Sequence, residues 1–257
     1  MLAIARRAVA ALAVLAAAAP AGAATQARPP APARPPAAAS PTAPAPRSLR
    51  FLALGDSYTI GERVPAASSW PFQLAALLRA RGVPMAEPQI VARTGWTVDD
   101  LAIALAESEP SGPYDLVSLQ IGVNDQYRGR GAEEFRGAFR VMLGRAVALA
   151  GGQAGRVVVL SIPDWSVTPF AALRSRPQLA AEIERFNAVV RQEASRAGAR
   201  HVDVTPESRD AGRDPALLAA DGLHPAAAMY TAWARLALPS ALAALGRSEA
   251  APNPLGR

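Results

Sequence analysis

Four short blocks hold most of the residues that could do chemistry. Gly55-Asp56-Ser57-Tyr58-Thr59 offers a hydroxyl, and Arg93-Thr94-Gly95-Trp96-Thr97 a small turn. Gly122-Val123-Asn124-Asp125 offers an amide, and Asp221-Gly222-Leu223-His224-Pro225 an imidazole with a carboxylate three residues before it. A serine hydroxyl alone is a poor nucleophile. It needs a neutral imidazole to take its proton and a carboxylate to fix the imidazole tautomer. It also needs donors placed where a carbonyl oxygen turns negative. Ser57, His224 and Asp221 can fill the first three roles, because one tight turn can present Asp221 and His224 together. The backbone N–H groups of Ser57 and Gly95 and the side-chain amide of Asn124 can fill the last.

Composition removes the rival chemistries. The 257 residues include no cysteine, which excludes disulfides, thiolate zinc sites, iron–sulfur clusters and cysteine nucleophiles. Two histidines, His201 and His224, are too few for a multi-histidine metal site. All 27 basic residues are arginine. The lack of lysine excludes a Walker A lysine, a pyridoxal-phosphate Schiff base and a serine–lysine dyad. No metal and no cofactor is expected. The net charge of +6 is spread over scattered arginines rather than gathered into a patch, so it predicts a mildly basic surface and no nucleic-acid partner.

The chain divides by composition. Residues 1–23 read as a cleaved secretory signal peptide, with Arg6 and Arg7, a short apolar run from Ala8 to Ala19, and small residues Ala21-Gly22-Ala23 at its end. The run is too short for a membrane span, and a periplasmic or secreted, monomeric product is expected. Residues 24–48 are rich in Ala and Pro and read as a semi-stiff linker. Residues 246–257 read as a disordered tail, leaving one catalytic-size domain over 49–245.

Within that domain apolar runs alternate with helix-period segments. Strands are predicted over 50–54, 89–92, 115–121, 156–162 and 201–204. Helices are predicted over 70–81, 97–107, 132–149, 178–197 and 226–244. The third of these boundaries is marked by Gly151-Gly152, the second by a capping-box-like Thr97 and Asp100, and the last by Pro225 at the first helical position. Such alternation predicts an α/β fold with a five-stranded parallel sheet and helices on both faces. In that arrangement the carboxyl ends of the strands form the functional rim. Three of the blocks follow strands directly and the fourth enters the last helix, so all four converge there.

The four blocks, in this order, resemble the SGNH, or GDSL-type, hydrolase family from Gly55 to Pro225. The resemblance implies a flavodoxin-like three-layer α/β/α sandwich and hydrolysis of carboxylic esters or thioesters through an acyl-serine. It implies Ser57 as nucleophile, His224 as base, Asp221 as orienter, and Ser57, Gly95 and Asn124 as oxyanion donors. Tyr58 stands where the family signature has leucine. The Gly-x-Ser-x-Gly elbow of α/β-hydrolases is not met, because position 59 is Thr.

Asp56 and Asp125 read as hydrogen-bonding braces near the site, and His201 as an ordinary strand residue. Trp96, Tyr127, Trp165 and Phe170 fall on or near strand-end loops and are candidates to line a substrate site. Arg128, Arg130, Arg174 and Arg176 occupy two of those loops and could favour an anionic substrate or surface. A small-molecule, lipid or glycan ester is the expected partner. A carbohydrate O-acetylesterase or O-acyltransferase on the same scaffold, and a noncatalytic lipid- or glycan-binding domain, are the alternatives.

Overall fold

The computed structural model describes residues 47–248. The expected signal peptide, nearly all of the Ala/Pro linker and most of the tail lie outside the described residues. Five strands form one sheet: β1 Phe51–Gly55, β2 Gln89–Ala92, β3 Leu116–Gln120, β4 Val157–Leu160 and β5 Arg200–Val202. All pairings are parallel, in the order β2-β1-β3-β4-β5. This is the flavodoxin-like order, whose direction of winding reverses between β1 and β3.

Helices cover both faces. In chain order they are α1 Ser57–Ile60, α2 Trp70–Ala80, α3 Val98–Ser108, α4 Val123–Tyr127, α5 Ala132–Leu149, α6 Arg176–Ala197, α7 Thr205–Ser208 and α8 Ala227–Ala244. α2 packs along α8 in one layer, while α3, α5 and α6 pack side by side in the other. The central strands β1, β3 and β4 are buried at every residue, as strands covered on both faces must be. Their continuous runs Phe-Leu-Ala-Leu, Leu-Val and Val-Val-Val-Leu are the sequence trace of that burial. Trp70, Trp233, Tyr230, Phe135 and Phe139 fill the space between sheet and helices, each large side chain contributing about 1.5–3 kcal/mol by leaving water.

The helix boundaries follow local chemistry. Thr97 caps α3 in a full capping box with Asp100, as the spacing predicts. α6 begins at Arg176 rather than Gln178, because Pro177 is well suited to a first turn that needs no N–H. Pro225 does not start α8. It pairs with Leu218 in an antiparallel bridge, and the helix begins two residues later, at Ala227 after the cap Ala226. The extended backbone that proline favours serves here to hold the preceding loop. The short helices α1, α4 and α7 have too few residues to leave a period in the sequence.

Gly55 ends β1 where the chain leaves the sheet. A Cβ there would collide with the carbonyl oxygen of Gln120 on β3 and with Thr59 Oγ1 on α1. Only a residue without a side chain lets α1 turn back so close to the neighbouring strand. Gly55→Ala is therefore expected to destabilise the domain by about 2 kcal/mol or more through overpacking. That lowers Tm by roughly 4–8 °C in calorimetry. An unchanged Tm would mean that β1 and α1 are joined less tightly than described.

Candidate active site

The serine, the histidine and the donors are positioned by three separate devices. Asp56 occupies the cap of α1, and its Oδ1 accepts the N–H of Tyr58 at 3.0 Å. The cap turns the chain out of the sheet at once and places Ser57 at the first helical position. There its own N–H belongs to the donors that a helix start leaves unbonded.

His224 lies on the loop before α8. Its carbonyl oxygen accepts the N–H of Ala219 at 2.7 Å, and the N–H of Ala226 donates to Leu217 O at 2.7 Å. These bonds clamp the loop on both sides of the imidazole. Asp221 closes a turn, with Oδ1 accepting the N–H groups of Leu223 and His224, each at 3.0 Å. Gly222 supplies the left-handed φ of 66° that the turn requires. The other oxygen, Oδ2, lies 2.7 Å from His224 Nδ1. An ionised carboxylate can only accept, so the ring proton sits on Nδ1 and Nε2 keeps a lone pair. Burial lifts the Asp221 carboxyl, but the bonds from the His224 ring and the two N–H groups outweigh it and hold the group below the usual carboxylate range. Arg63 Nε stands 3.7 Å from the same Oδ2.

The loops after β2 and β3 are tied to each other. Asn124 Nδ2 donates to Trp96 O at 2.9 Å, and Arg128 Nη2 donates to Gly95 O at 2.7 Å. Asp125 Oδ2 accepts the N–H of Val98 at 3.0 Å, and Oδ1 accepts from Arg130 Nη1 at 2.9 Å. The first bond fixes the Asn124 amide and leaves its second N–H available. Among the described residues no main-chain acceptor takes the N–H of Ser57 or Gly95.

These elements meet at one pocket of about 190 Å³ at the carboxyl ends of β1 and β3. Ser57, Gly95, Asn124 and His224 all line it. Ser57 and His224 share its wall without a hydrogen bond between them. The remaining walls are mostly apolar or aromatic: Tyr58, Val123, Tyr127, Trp165, Phe170 and Leu223. The Tyr58 ring packs on the imidazole with centroids 5.3 Å apart, and burial, with Asp56 and Asp221 nearby, pushes its phenol well up and keeps it protonated.

The structure brings Ser57, Asp221, His224, Gly95 and Asn124 together, and puts Tyr127, Trp165 and Phe170 around them. Trp96 does not line the pocket. Its ring packs against the core and its carbonyl holds Asn124. Arg130 is not free for an anion, being bonded to Asp99, Asp125 and Glu134. Val123, Leu223 and Tyr58 also line the pocket; the sequence alone does not mark them as walls, since apolar and aromatic residues inside the blocks look like core residues. His201 is on β5, and its Nε2 is buried without a partner. Among the described residues no cluster of three or more His, Asp or Glu side chains could hold a metal ion. No described helix is long and apolar enough to cross a membrane.

Residues 53–232 match the GDSL-like Lipase/Acylhydrolase family. Among curated proteins none matches the sequence. Solved structures of similar fold include a member of the lipolytic protein G-D-S-L family from Veillonella parvula, 18% identical with a TM-score of 0.56, covering 74% of this chain and 97% of that one. TesA is 20% identical with a TM-score of 0.62, covering 76% and 99%. Axe2, an acetylxylan esterase from Geobacillus stearothermophilus, is 21% identical with a TM-score of 0.55, covering 77% and 94%. At these identities the likeness is one of fold.

Asp56 adds a pH signature to the site. Burial, with the charge of Asp125 adding to it and against the pull of the Tyr58 N–H, pushes its carboxyl from 3.8 up to about 7. The folded state then keeps a proton that the unfolded chain releases. The associated stability is fully present below about pH 4 and is lost as pH rises through about 7. Asp56→Asn, which imitates the protonated form, should gain Tm relative to wild type as pH is raised from 4 to 8. Parallel Tm curves would show that Asp56 ionises normally.

Proposed function

We propose that this chain, which belongs to the GDSL-like lipase/acylhydrolase family and is an ester-hydrolysing enzyme, is a secreted or periplasmic serine esterase. Ser57, His224 and Asp221 form its triad, and Ser57, Gly95 and Asn124 its oxyanion donors. The observation that carries this reading is the 2.7 Å contact of Asp221 Oδ2 with His224 Nδ1 in a loop whose imidazole lines the same pocket as Ser57.

The chemistry follows from those positions. Ser57 Oγ adds to the ester carbonyl carbon while its proton passes to His224 Nε2. The carbonyl oxygen becomes negative, facing the N–H groups of Ser57 and Gly95 and the free N–H of Asn124. Fixed donors of this kind need no reorganisation as charge develops, and each contributes about 10²–10³ in turnover. The tetrahedral species expels the alcohol or thiol, which takes the proton from His224. Water then adds to the acyl-serine with His224 again as base, and the acid leaves. Asp221 stays ionised throughout, favouring the imidazolium formed in each half-reaction.

The substrate is a small-molecule, lipid or glycan ester, and the enzyme works as a monomer without a cofactor. The pocket of about 190 Å³ suits a short acyl group. A second reading, a carbohydrate O-acetylesterase, is favoured by the Tyr127, Trp165 and Phe170 wall and by the acetylxylan esterase among the similar folds.

p-Nitrophenyl esters of rising chain length test the proposal. Wild type should hydrolyse the short esters best, and Ser57→Ala should lose at least about 10³-fold in kcat. Equal hydrolysis by both proteins would remove Ser57 from the mechanism. Because the imidazole must be neutral to accept the proton, kcat/KM should fall on acidification along a single limb. A profile flat to about pH 4, well below a free imidazole's titration near about 6.5, would exclude His224 as the base.

A further inference from the structure

The aromatic part of the pocket wall ends in a feature that ester hydrolysis alone does not use. Tyr127, Trp165 and Phe170 form a mutual cluster, with ring centroids 5.7 Å apart for Tyr127 and Trp165, 6.2 Å for Tyr127 and Phe170, and 5.9 Å for Trp165 and Phe170. Trp165 is buried and hydrogen-bonded through Nε1 to Gln126 at 3.1 Å, whereas Tyr127 and Phe170 are 43% and 47% exposed. The cluster therefore runs from the pocket interior to its mouth. There the guanidinium of Arg174 lies over two of the rings, 4.8 Å from the Tyr127 centroid and 5.6 Å from that of Trp165.

The arginines around this pocket differ in what their N–H groups do. Arg128 donates to Gly95 O and faces Asp100, Arg176 donates to Thr168 O, and Arg63 lies between Glu62 and Asp221. Arg174 has no side-chain hydrogen bond or ion pair among the described residues; only its backbone N–H is engaged, with Ala171 O at 3.0 Å. Stacking on the rings restrains the guanidinium plane within cation–π range and leaves its donor edge to the solvent. A guanidinium restrained in this way loses less entropy on binding, and its fork matches a carboxylate or phosphate oxygen pair.

We propose that Arg174, stacked at the mouth of the Ser57 pocket, is a specificity-determining residue that receives an oxyanion, carboxylate or phosphate, carried by the ester substrate. The inference rests on the serine-esterase reading. It deepens that reading by making the preferred substrate an anionic ester whose reacting carbonyl lies at Ser57 while its charged end lies along the aromatic wall. The position is exposed, so the attraction acts at short range and weakens with salt.

Two pairs of esters test this on the full chain. 4-Acetoxybenzoate against methyl 4-acetoxybenzoate puts the charge on the alcohol side; 4-nitrophenyl hydrogen adipate against its methyl ester puts it on the acyl side. For each pair the ratio of kcat/KM, anionic over neutral, is measured in wild type, Arg174→Gln, Arg174→Lys and the remote exposed Arg235→Gln. In at least one pair the ratio should fall about tenfold in Arg174→Gln, mainly through KM, with Arg174→Lys recovering part of it. Sodium chloride at high concentration should lower the wild-type ratio and leave that of Arg174→Gln flat. Benzoate and phenyl phosphate, as competitive inhibitors, show which oxyanion is preferred, and both should weaken in Arg174→Gln.

Ratios unchanged in both pairs would overturn the proposal, as would an equal fall in Arg235→Gln, which would mark a general surface-charge effect. Unchanged ratios with an Arg174-dependent loss of binding to phosphatidylglycerol vesicles would assign the exposed Phe170 and Leu173 side of the mouth to a lipid surface instead. If wild type cleaves none of the esters, the serine-esterase reading fails. Calorimetric titration with benzoate then still tests the oxyanion seat by itself, equal heats in wild type and Arg174→Gln overturning it.

Discussion

The carboxylate of Asp221 uses its two oxygens for two different tasks. Oδ1 takes the N–H groups of Leu223 and His224 and closes the turn, while Oδ2 takes the imidazole proton on Nδ1. The same charge therefore shapes the backbone and sets the tautomer. Hydrogen bonds to an ionised group are worth about 1.5–3 kcal/mol each, enough to hold both against thermal motion. Without that arrangement the imidazole, which lines the same pocket as Ser57, would have no fixed direction.

The site also depends on the place where the sheet reverses its winding. Between β1 and β3 the helices leave toward opposite faces, so a crevice opens at their carboxyl ends. The protein lines that crevice with two kinds of joint. Asp56 caps α1 next to the serine, and a web of Asn124, Asp125 and Arg128 ties the loops after β2 and β3. Those joints are polar, and they fix the Asn124 amide and the loop that carries Gly95.

One side of the pocket is polar and fixed; the other is aromatic and opens outward. In the proposed reaction the polar side serves any ester alike, and selectivity is left to the aromatic side, where ring faces offer apolar contact and the Arg174 guanidinium offers charge. Tyr58 ties the polar side to the core, since its ring packs on the imidazole and on Trp233. The leucine-to-tyrosine difference beside Ser57 thus bears on the base as well as on packing.

The order of the blocks, each at a strand end, was legible from residue types alone, because strands covered on both faces leave unbroken apolar runs and turns need Gly, Asp and Asn. So were the parallel sheet, the α3 capping box and the meeting of Ser57, His224, Gly95 and Asn124 at one rim, with Asp221 beside the imidazole. Three things were decided only by tertiary structure. Pro225 became a clamp rather than a helix start because Leu218 lay beside it. Trp96 turned away from the pocket while Val123 and Leu223 turned toward it, since periodicity does not tell a pocket wall from a core wall. Arg130 was taken up by three carboxylates and Arg174 by two rings. A sequence states which charges exist, but what each one faces is set by distances across the chain, and those appear only when the chain is folded.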